Sequence, residues 1–536
     1  MIVAQLAPPK RYLYESLTRH NFFPNQKQGA SEVPPTISSR QFTPEIAEKI
    51  AATKVRQNGY GVAEYRATRY NNVPRLLSFI HPKACADLSK VYHDNFEQLG
   101  FIYENKNSAI RPSEHMDGRL FVMNYESQEE KSEGLLGLSF GKKFRVHTDI
   151  VNCFGSIYTH SIEWATRGFR ESKNQLALKR QHREANWGVE LDKKLRNAKR
   201  NETQGIPIGP ATSSLAVEII LGKIDEKLAG KYDYVRYIDD YTCLCDTHEK
   251  AEKFLHDLSN ELEHYKLKIN LAKTTIIPEP EPAQEDWITE ILLRTPKPRE
   301  EEKIKSSELS SYINYLVRTN KSTPDGSVLK FGIGRVINFL DDKAQYSLLC
   351  NILNLSWHYP VLLPFLEKFD LEEYNEDSKE VIQSSLHQII AKNIESRRSD
   401  GLAWPLHLII KNNLSLPTTV IEDLLNSDDC ITLAMLTKVE DAIPYLKRLY
   451  AEKLELPDDE KDKYWLFLYQ LYFSNDMQEP YDNDQTFKIM KDYNVNFIPG
   501  ETTTAAEDYC QQLDWEDFFE EGEKLKPFDE WIKDHR

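Results

Sequence analysis

The period of apolar and polar positions changes several times along the chain, and the changes mark its elements. Two short β-prone runs, over residues 234–237 and 241–244, flank the adjacent carboxylates Asp239 and Asp240. That pattern predicts a strand, a tight turn and a second strand, with both aspartates at the tip. Residues 76–82 predict a short buried strand ended by proline, with a helix over 83–99 after it. Residues 144–149 predict a further strand that ends on an acid and turns into a helix through Ile157 and Tyr158. Pro210 can open a helix that continues through 215–221, and helical spacing returns over 248–265. Near the start, Thr43-Pro44-Glu45 reads as a capped helix beginning with proline in the first turn.

Breaks in this patterning divide the chain. Residues 1–50, interrupted by Pro8, Pro9, Pro24, Pro34, Pro35 and Pro44, read as an N-terminal arm. Residues 51–280 form an α+β core. The prolines at 278, 280, 282, 296 and 298 predict a stiff linker over 281–300. From 301 to 536 the apolar clusters, such as those over 312–316, 336–340, 361–366 and 465–472, predict an all-α half with short connections. No strict repeat period is visible in it; an α-solenoid of stacked helix pairs is one arrangement it allows.

Composition narrows the class. A chain of 536 residues accommodates two or three domains, and 40% hydrophobic with 28% charged residues is ordinary for a soluble protein. No run of about 18 apolar residues is present, and the first ten residues lack a secretion-signal pattern. The seven cysteines contain no CxxC pair, so no zinc site is indicated, and a cytoplasmic location with reduced thiols is expected. The net charge of -16 excludes a protein that coats nucleic acid non-specifically. A nucleic-acid path must then be local. Residues 167–200, with eleven Lys or Arg against four acids, are either a solvated helix face or such a track. The Arg- and Tyr-rich stretch over 56–75 is either a half-buried strand or a stacking surface. Residues 501–536 invert the balance, with twelve acids, four bases and five large aromatics (Trp515, Phe518, Phe519, Phe528, Trp531). That composition suits docking on a basic protein surface rather than on nucleic acid.

Taken alone, Asp239-Asp240 is most simply a polar turn, and Asp149 most simply a helix cap. Paired carboxylates without a local cation repel, however, and divalent metal binding is the commonest use of such a pair. Gly205 and Gly209, in the stretch Gln204-Gly205-Ile206-Pro207-Ile208-Gly209-Pro210, would let a nucleotide or template approach the backbone closely. Arg111, Lys142, Lys143 and Arg145 are cations that could face a triphosphate.

The order Asp149…Phe154, then residues 204–210, then Tyr237-Ile238-Asp239-Asp240, then residues 267–274, resembles the palm of the reverse transcriptases, over roughly residues 55–280. The resemblance implies that Asp149, Asp239 and Asp240 are catalytic and hold two Mg²⁺ ions (Mn²⁺ as an alternative), with the Ile150 carbonyl as a further ligand. One ion would activate the attacking hydroxyl and the other neutralise the triphosphate. It implies that Phe154 blocks a ribose 2′-hydroxyl and so favours dNTPs. Gln204 and Gly205 would line the nucleotide pocket, with Arg111, Lys142, Lys143 and Lys273 as further dNTP contacts.

Nothing downstream resembles an RNase H, endonuclease or maturase region. A polymerase core joined only to a helical half is similar to the bacterial abortive-infection and other phage-defence reverse transcriptases. That likeness implies homo-oligomers, a HEAT-like helical half and, in several members, template-independent synthesis of single-stranded DNA attached to the enzyme's own tyrosine. Among the 27 tyrosines the priming one is not identifiable; Tyr12, Tyr14, Tyr60, Tyr65 and Tyr70 are candidates by position. RNA-templated synthesis on a bound RNA is the alternative. A helical scaffold with a regulatory nucleotide-binding palm is the rival from another class, and the intact aspartates speak against it.

Overall fold

The computed structural model describes residues 9–24, 32–69, 73–115, 117–121, 135–282, 284–297, 303–323, 326–475, 477–482 and 484–499. Two sheets lie in the first half. An antiparallel hairpin pairs β1 (Val62–Thr68) with β2 (Pro74–Ile80). A four-stranded antiparallel sheet has the order β4-β5-β3-β6, with β3 Phe144–Asp149, β4 Asp233–Tyr237, β5 Asp240–Cys245 and β6 Thr275–Pro278. Strand β6 was not expected. Its row of short β-prone residues follows a 3-10 turn at Leu271–Lys273 and completes the sheet beside β3.

The helix Ala211–Leu228 is the spine behind this sheet. Fourteen of its residues are buried, including the acids Glu218 and Asp225. The helix His248–His264 is amphipathic and lays Ala251, Phe254, Leu258 and Leu262 inward, after Thr247 accepts a bond from the Lys250 amide as its N-cap. The expected helix over 83–99 is Pro82–Asp94 followed by a 3-10 turn, Phe96–Leu99. The helix expected at Thr43-Pro44-Glu45 is Pro44–Ala51.

The described second half is helical, with α-helices from four residues (Asp458–Lys461) to twenty-one (Glu376–Ser396). It does not hang from a linker. The helix Asp286–Arg294 occupies the middle of the stretch expected to be a stiff break, because Trp287, Ile288 and Ile291 form a buried stripe between the two proline clusters.

The helical half also closes the free edge of β1. An unpaired strand edge exposes N–H and C=O groups that need partners. The Arg66 amide donates to Ser399 Oγ (2.9 Å), the Ser399 amide donates to the Arg66 carbonyl (3.1 Å), and the Thr68 amide donates to Asp400 Oδ2 (2.7 Å). The Gly61 amide donates to Asp462 Oδ2 (2.7 Å), and Trp465 Nε1 donates to the Phe79 carbonyl (2.9 Å).

The described N-terminal residues, 9–24 and 32–50, are not an arm. Tyr12, Leu13, Tyr14, Leu17, Phe22 and Phe23 are buried, and Phe22 and Phe23 pack on Phe42, Trp465 and Phe497. The prolines there shape a chain that packs; they do not free it.

Within the Arg- and Tyr-rich stretch, Arg56, Tyr60 and Tyr65 face inward, while Arg69 is exposed. Tyr60 and Tyr65 are fully buried in and beside β1. Arg56 bonds Asp462 and Asp484 (both 2.9 Å) and lies over the rings of Tyr60 and Tyr481. These residues join the two halves and offer no stacking face. Among the described residues no helix is long and apolar enough to cross a membrane.

Candidate active site

The site begins with register. Asp149, the last residue of β3, sits directly opposite Asp240, the first of β5. Residues opposed in an antiparallel pair have Cα atoms about 4.5–5.5 Å apart. Tyr237 pairs with Asp240, so Ile238 and Asp239 are the two central residues of the β4–β5 turn. Ile238 has φ 58°, the left-handed region, whereas Asp239 does not. A turn with positive φ only at its first central residue is of the II′ kind, which ordinarily takes glycine there. A β-branched residue in that conformation is strained by roughly 1–3 kcal/mol.

Two bonds hold the turn from opposite sides. The Ile150 amide donates to the Asp239 carbonyl (3.2 Å) and ties the turn to the end of β3. Arg236 Nη1 donates to the Ile238 carbonyl (2.7 Å). Arg236 is fully buried, and its remaining donors go to both oxygens of Glu218 (2.8 and 2.9 Å) and to Asp225 Oδ2 (2.9 Å). Burial alone would lower its pKa; Asp225 and Glu218 outweigh that and keep the guanidinium charged. The helix Ala211–Leu228 thus fixes the aspartate turn through one arginine.

The carboxylates themselves are electrostatically unfavourable as they stand. Burial, then the charges of Asp240 and Asp149, push the Asp239 carboxyl up to about 6. Asp149 Oδ1 is buried without a hydrogen-bond partner, while its Oδ2 accepts from Lys273 Nζ at 2.7 Å. That bond raises the pKa of the largely exposed Lys273. Among the described residues no three acid, histidine or cysteine side chains converge as a ready-made metal cage. The donor chemistry nevertheless fits hard divalent cations: oxygen ligands only, one of them unsatisfied, with charge that repels itself. The chain segment after Asp149 is bridged to Ile269 through the Asp149 carbonyl and the Val151 amide, not through the Ile150 carbonyl.

Beside the carboxylates lies a second cluster. The chain turns at Asn152 (φ 44°) into the short helix Cys153–Ser156. The Ile206 amide donates to the Phe154 carbonyl (3.0 Å) and the Gly205 amide to the Ile157 carbonyl (2.7 Å). Gln204 Nε2 donates to the carbonyls of Gly155 (3.2 Å) and Ser156 (3.0 Å). Phe154, Gln204 and Gly205 are therefore neighbours. Gly205 has φ +78°, and a Cβ there would come within 3.1 Å of the Gly155 carbonyl, so the position requires glycine. The loop is braced from behind: the Ser78 amide donates to the Ile208 carbonyl (2.8 Å), and the Ala211 amide donates to the Asn21 carbonyl (3.0 Å).

The cations separate into two groups. Lys273 reaches Asp149. Residues 107–109 run parallel to β4 at Arg236, which carries the half-buried Arg111 toward the same end of the sheet as the turn. Lys142 and Lys143 are not brought to the carboxylates. They precede β3, at the end opposite Asp149, roughly 20 Å away at the rise of an extended strand. Lys142 Nζ there contacts Asp233 (2.6 Å) and Asp246 (3.0 Å), and the Lys143 amide donates to the Cys245 carbonyl. Arg145 is also turned away, onto Glu279 (2.7 Å).

The position-based tyrosine candidates are engaged elsewhere. Tyr12 Oη donates to the Arg119 carbonyl (2.8 Å), Tyr65 Oη donates to the Glu32 carbonyl (2.7 Å), and Tyr60 Oη accepts from the Arg56 amide (3.2 Å). Tyr14 is buried and stacked on His93. Tyr70 lies outside the described residues.

The Arg236 cluster was missed in the sequence although a signal exists. Tyr234 and Arg236 fall on the inward phase of β4, and Glu218 and Asp225 lie seven residues apart, on one face of a mostly buried helix.

Residues 85–300 match the family model for reverse transcriptase (RNA-dependent DNA polymerase). No curated protein matches the chain. Among solved structures, apo telomerase of Candida tropicalis truncated from its C-terminal domain is 13% identical, with a TM-score of 0.30 over 45% of this chain and 56% of that one. Apo telomerase of Candida tropicalis is 12% identical, with a TM-score of 0.31 over 78% of this chain and 70% of that one. Telomerase of Candida albicans with a fragment of telomeric RNA is 11% identical, with a TM-score of 0.27 over 78% of this chain and 67% of that one. This chain therefore spans little more than half the length of the first of these. By the family match, residues 85–300, which hold Asp149, Asp239 and Asp240, are a reverse transcriptase domain.

Proposed function

We propose that this protein is a divalent-metal-dependent DNA polymerase that extends a hydroxyl from dNTPs in antiphage defence, by protein-primed, template-independent synthesis. The observation that carries the polymerase reading is the self-repelling group of buried Asp149 with half-buried Asp239 and Asp240, with Asp149 Oδ1 lacking a hydrogen-bond partner. These carboxylates and the Ile150 carbonyl would hold Mg²⁺ or Mn²⁺. When bound, such ions neutralise the triphosphate and make the attacking hydroxyl a better nucleophile.

The chain's own residues position the reactants. The bond from the hydroxyl oxygen to the α-phosphorus forms as the bond to pyrophosphate breaks. Phe154 faces the sugar and disfavours a 2′-hydroxyl. Gln204 and Gly205 shape the pocket wall, with Gly205 allowing close approach. Lys273 pairs with Asp149 Oδ2 in the absence of a cation and would yield that oxygen to one.

The defence role and protein priming rest on architecture: a polymerase core followed by a second half whose described residues are helical and pack onto β1 and β2. The tyrosine that primes would be none of Tyr12, Tyr14, Tyr60 or Tyr65, whose rings are buried. The family description supports a second reading, copying of a bound RNA. Incubating the purified protein with Mg²⁺ and labelled dNTPs, before and after nuclease treatment, separates them. Label that stays on the protein through denaturation without added nucleic acid supports protein priming. Incorporation only with an RNA template sinks it in favour of the second reading.

A further inference from the structure

The helices Phe169–Ala177 and Trp187–Asn197 both pack on Ser161–Arg167, between the first aspartate and the Gln204 loop in sequence. Their outer side is unusual for an acidic protein. Phe169 and Leu176 are 52% and 51% exposed and lie seven residues apart, on one helix face. Leu178 and Val189 are 43% and 42% exposed. Lys173 lies over the rings of Trp164 and Phe169 (5.5 and 5.4 Å), and Lys179 is exposed beside Leu178. The outcome is a run of exposed apolar residues, Phe169, Leu176 and Leu178, set among cations, with Val189 exposed on the neighbouring helix.

We propose that this face is the docking site of residues 501–536 of the same chain. Three observations select that occupant. The first is charge. The segment carries twelve acids and four bases, whereas the stretch 167–200 carries eleven Lys or Arg against four acids, with Lys173, Lys179 and Lys193 exposed. The second is the kind of apolar contact. Trp515, Phe518 and Phe519 are interleaved with Asp514, Glu516 and Asp517, so one short stretch can fill an apolar surface and pair with its cations together. Nucleic acid meets the cations, but Leu176, Leu178 and Val189 offer no ring for a base to stack on, and Lys173 already lies over the ring of Phe169.

The third is reach. Phe497 is anchored against Phe23, and the Ser38 amide donates to its carbonyl (2.9 Å). A segment of this length spans roughly 100 Å when extended. That exceeds the diameter expected for a domain of this size, roughly 50–60 Å. Tethering gives the segment an effective concentration of order mM, which favours its own chain over a second copy.

Zero-length carbodiimide cross-linking of the full chain tests this, because it joins a lysine amine to a carboxylate only when they touch. The expected result is a monomer-sized product in which Lys173 or Lys179 is joined to acids within 514–521. Lys173→Glu with Lys179→Glu should lower the yield of cross-links between the segment and the remaining lysines of this face, such as Lys193, at least fivefold. Adding Glu516→Lys and Asp517→Lys to that double variant should restore them. Phe169→Ser, at an exposed position that leaves the core intact, should lower them too.

Cross-links from the segment to other lysines alone overturn the proposal, as do cross-links found only in a dimer-sized product. So does a cross-link pattern unmoved by charge reversal. If charge reversal abolishes binding of single-stranded DNA while the cross-links persist, the face is a nucleic-acid track and the docking is wrong.

Discussion

Arg236 gives the sharpest test of how the fold builds the site. Its guanidinium donates to Glu218, Asp225 and the Ile238 carbonyl from a position with no solvent exposure. Arg236→Met leaves both acids buried without a counter-charge, which costs about 3–5 kcal/mol. Against a total stability of about 5–15 kcal/mol, that variant is expected to fold poorly. Arg236→Lys is the informative change. It keeps the charge near the acids, but a single ammonium cannot span both of them and the carbonyl as well. Losing one charge-assisted bond costs about 1.5–3 kcal/mol.

If that bond holds Ile238 at φ 58°, its loss lets the Asp239 turn relax. The expected outcome is a kcat for dNTP incorporation lowered tenfold or more and a higher Mg²⁺ requirement, with the nucleotide KM little changed. Ile238→Gly removes the penalty for the left-handed conformation and should recover part of kcat in the Arg236→Lys background. Steady-state incorporation across a Mg²⁺ titration, with urea unfolding in parallel, reads both effects. Loss of stability with kcat and Mg²⁺ requirement unchanged would refute the positioning role.

Asp239→Asn should abolish incorporation yet stabilise the metal-free protein. A carboxyl whose folded pKa is raised to about 6 carries no penalty below about pH 4, costs stability progressively as pH rises from about 4 to about 6, and carries the full penalty above that. The asparagine variant should therefore gain up to about 3 kcal/mol over the parent at pH 8 in EDTA and nothing at pH 4, as read by urea unfolding; an equal effect at both pH values would contradict this. Phe154→Ala should raise the relative kcat/KM for rNTPs, and unaltered discrimination would remove Phe154 as the sugar gate. Asp400→Ala leaves the Thr68 amide without its partner on the closed edge of β1, so a loss of about 1–3 kcal/mol and faster amide exchange at Thr68 are expected.

Local periodicity made the aspartate hairpin, β3 and the helices around them legible, because each carries its own alternation or helical stripe. The same reading missed what depends on distant partners. Residues 9–24 look like a loose arm by proline content, yet Tyr12, Leu13 and Leu17 are core because the rest of the domain supplies their contacts. Tyr60, Tyr65 and Arg56 look like a nucleic-acid surface, and only the arrival of Asp462 and Tyr481 turns them inward. Lys142 and Lys143 lie close in sequence to Asp149, but a strand carries neighbours apart by about 3.3 Å per residue, so they end at the opposite rim. Asp149 and Asp240 are ninety-one positions apart and meet through register alone. The order of motifs made that meeting expected; composition could not.

The central claim is that Asp149 and Asp239 perform nucleotidyl transfer. It is tested most directly by labelled dNTP incorporation in Mg²⁺ by the parent protein, Asp149→Asn and Asp239→Asn, each verified as folded. Incorporation by the parent is expected, with a loss of roughly a thousandfold, about 4 kcal/mol in activation free energy, in each variant. Incorporation by a folded Asp239→Asn protein at the parent rate would contradict it.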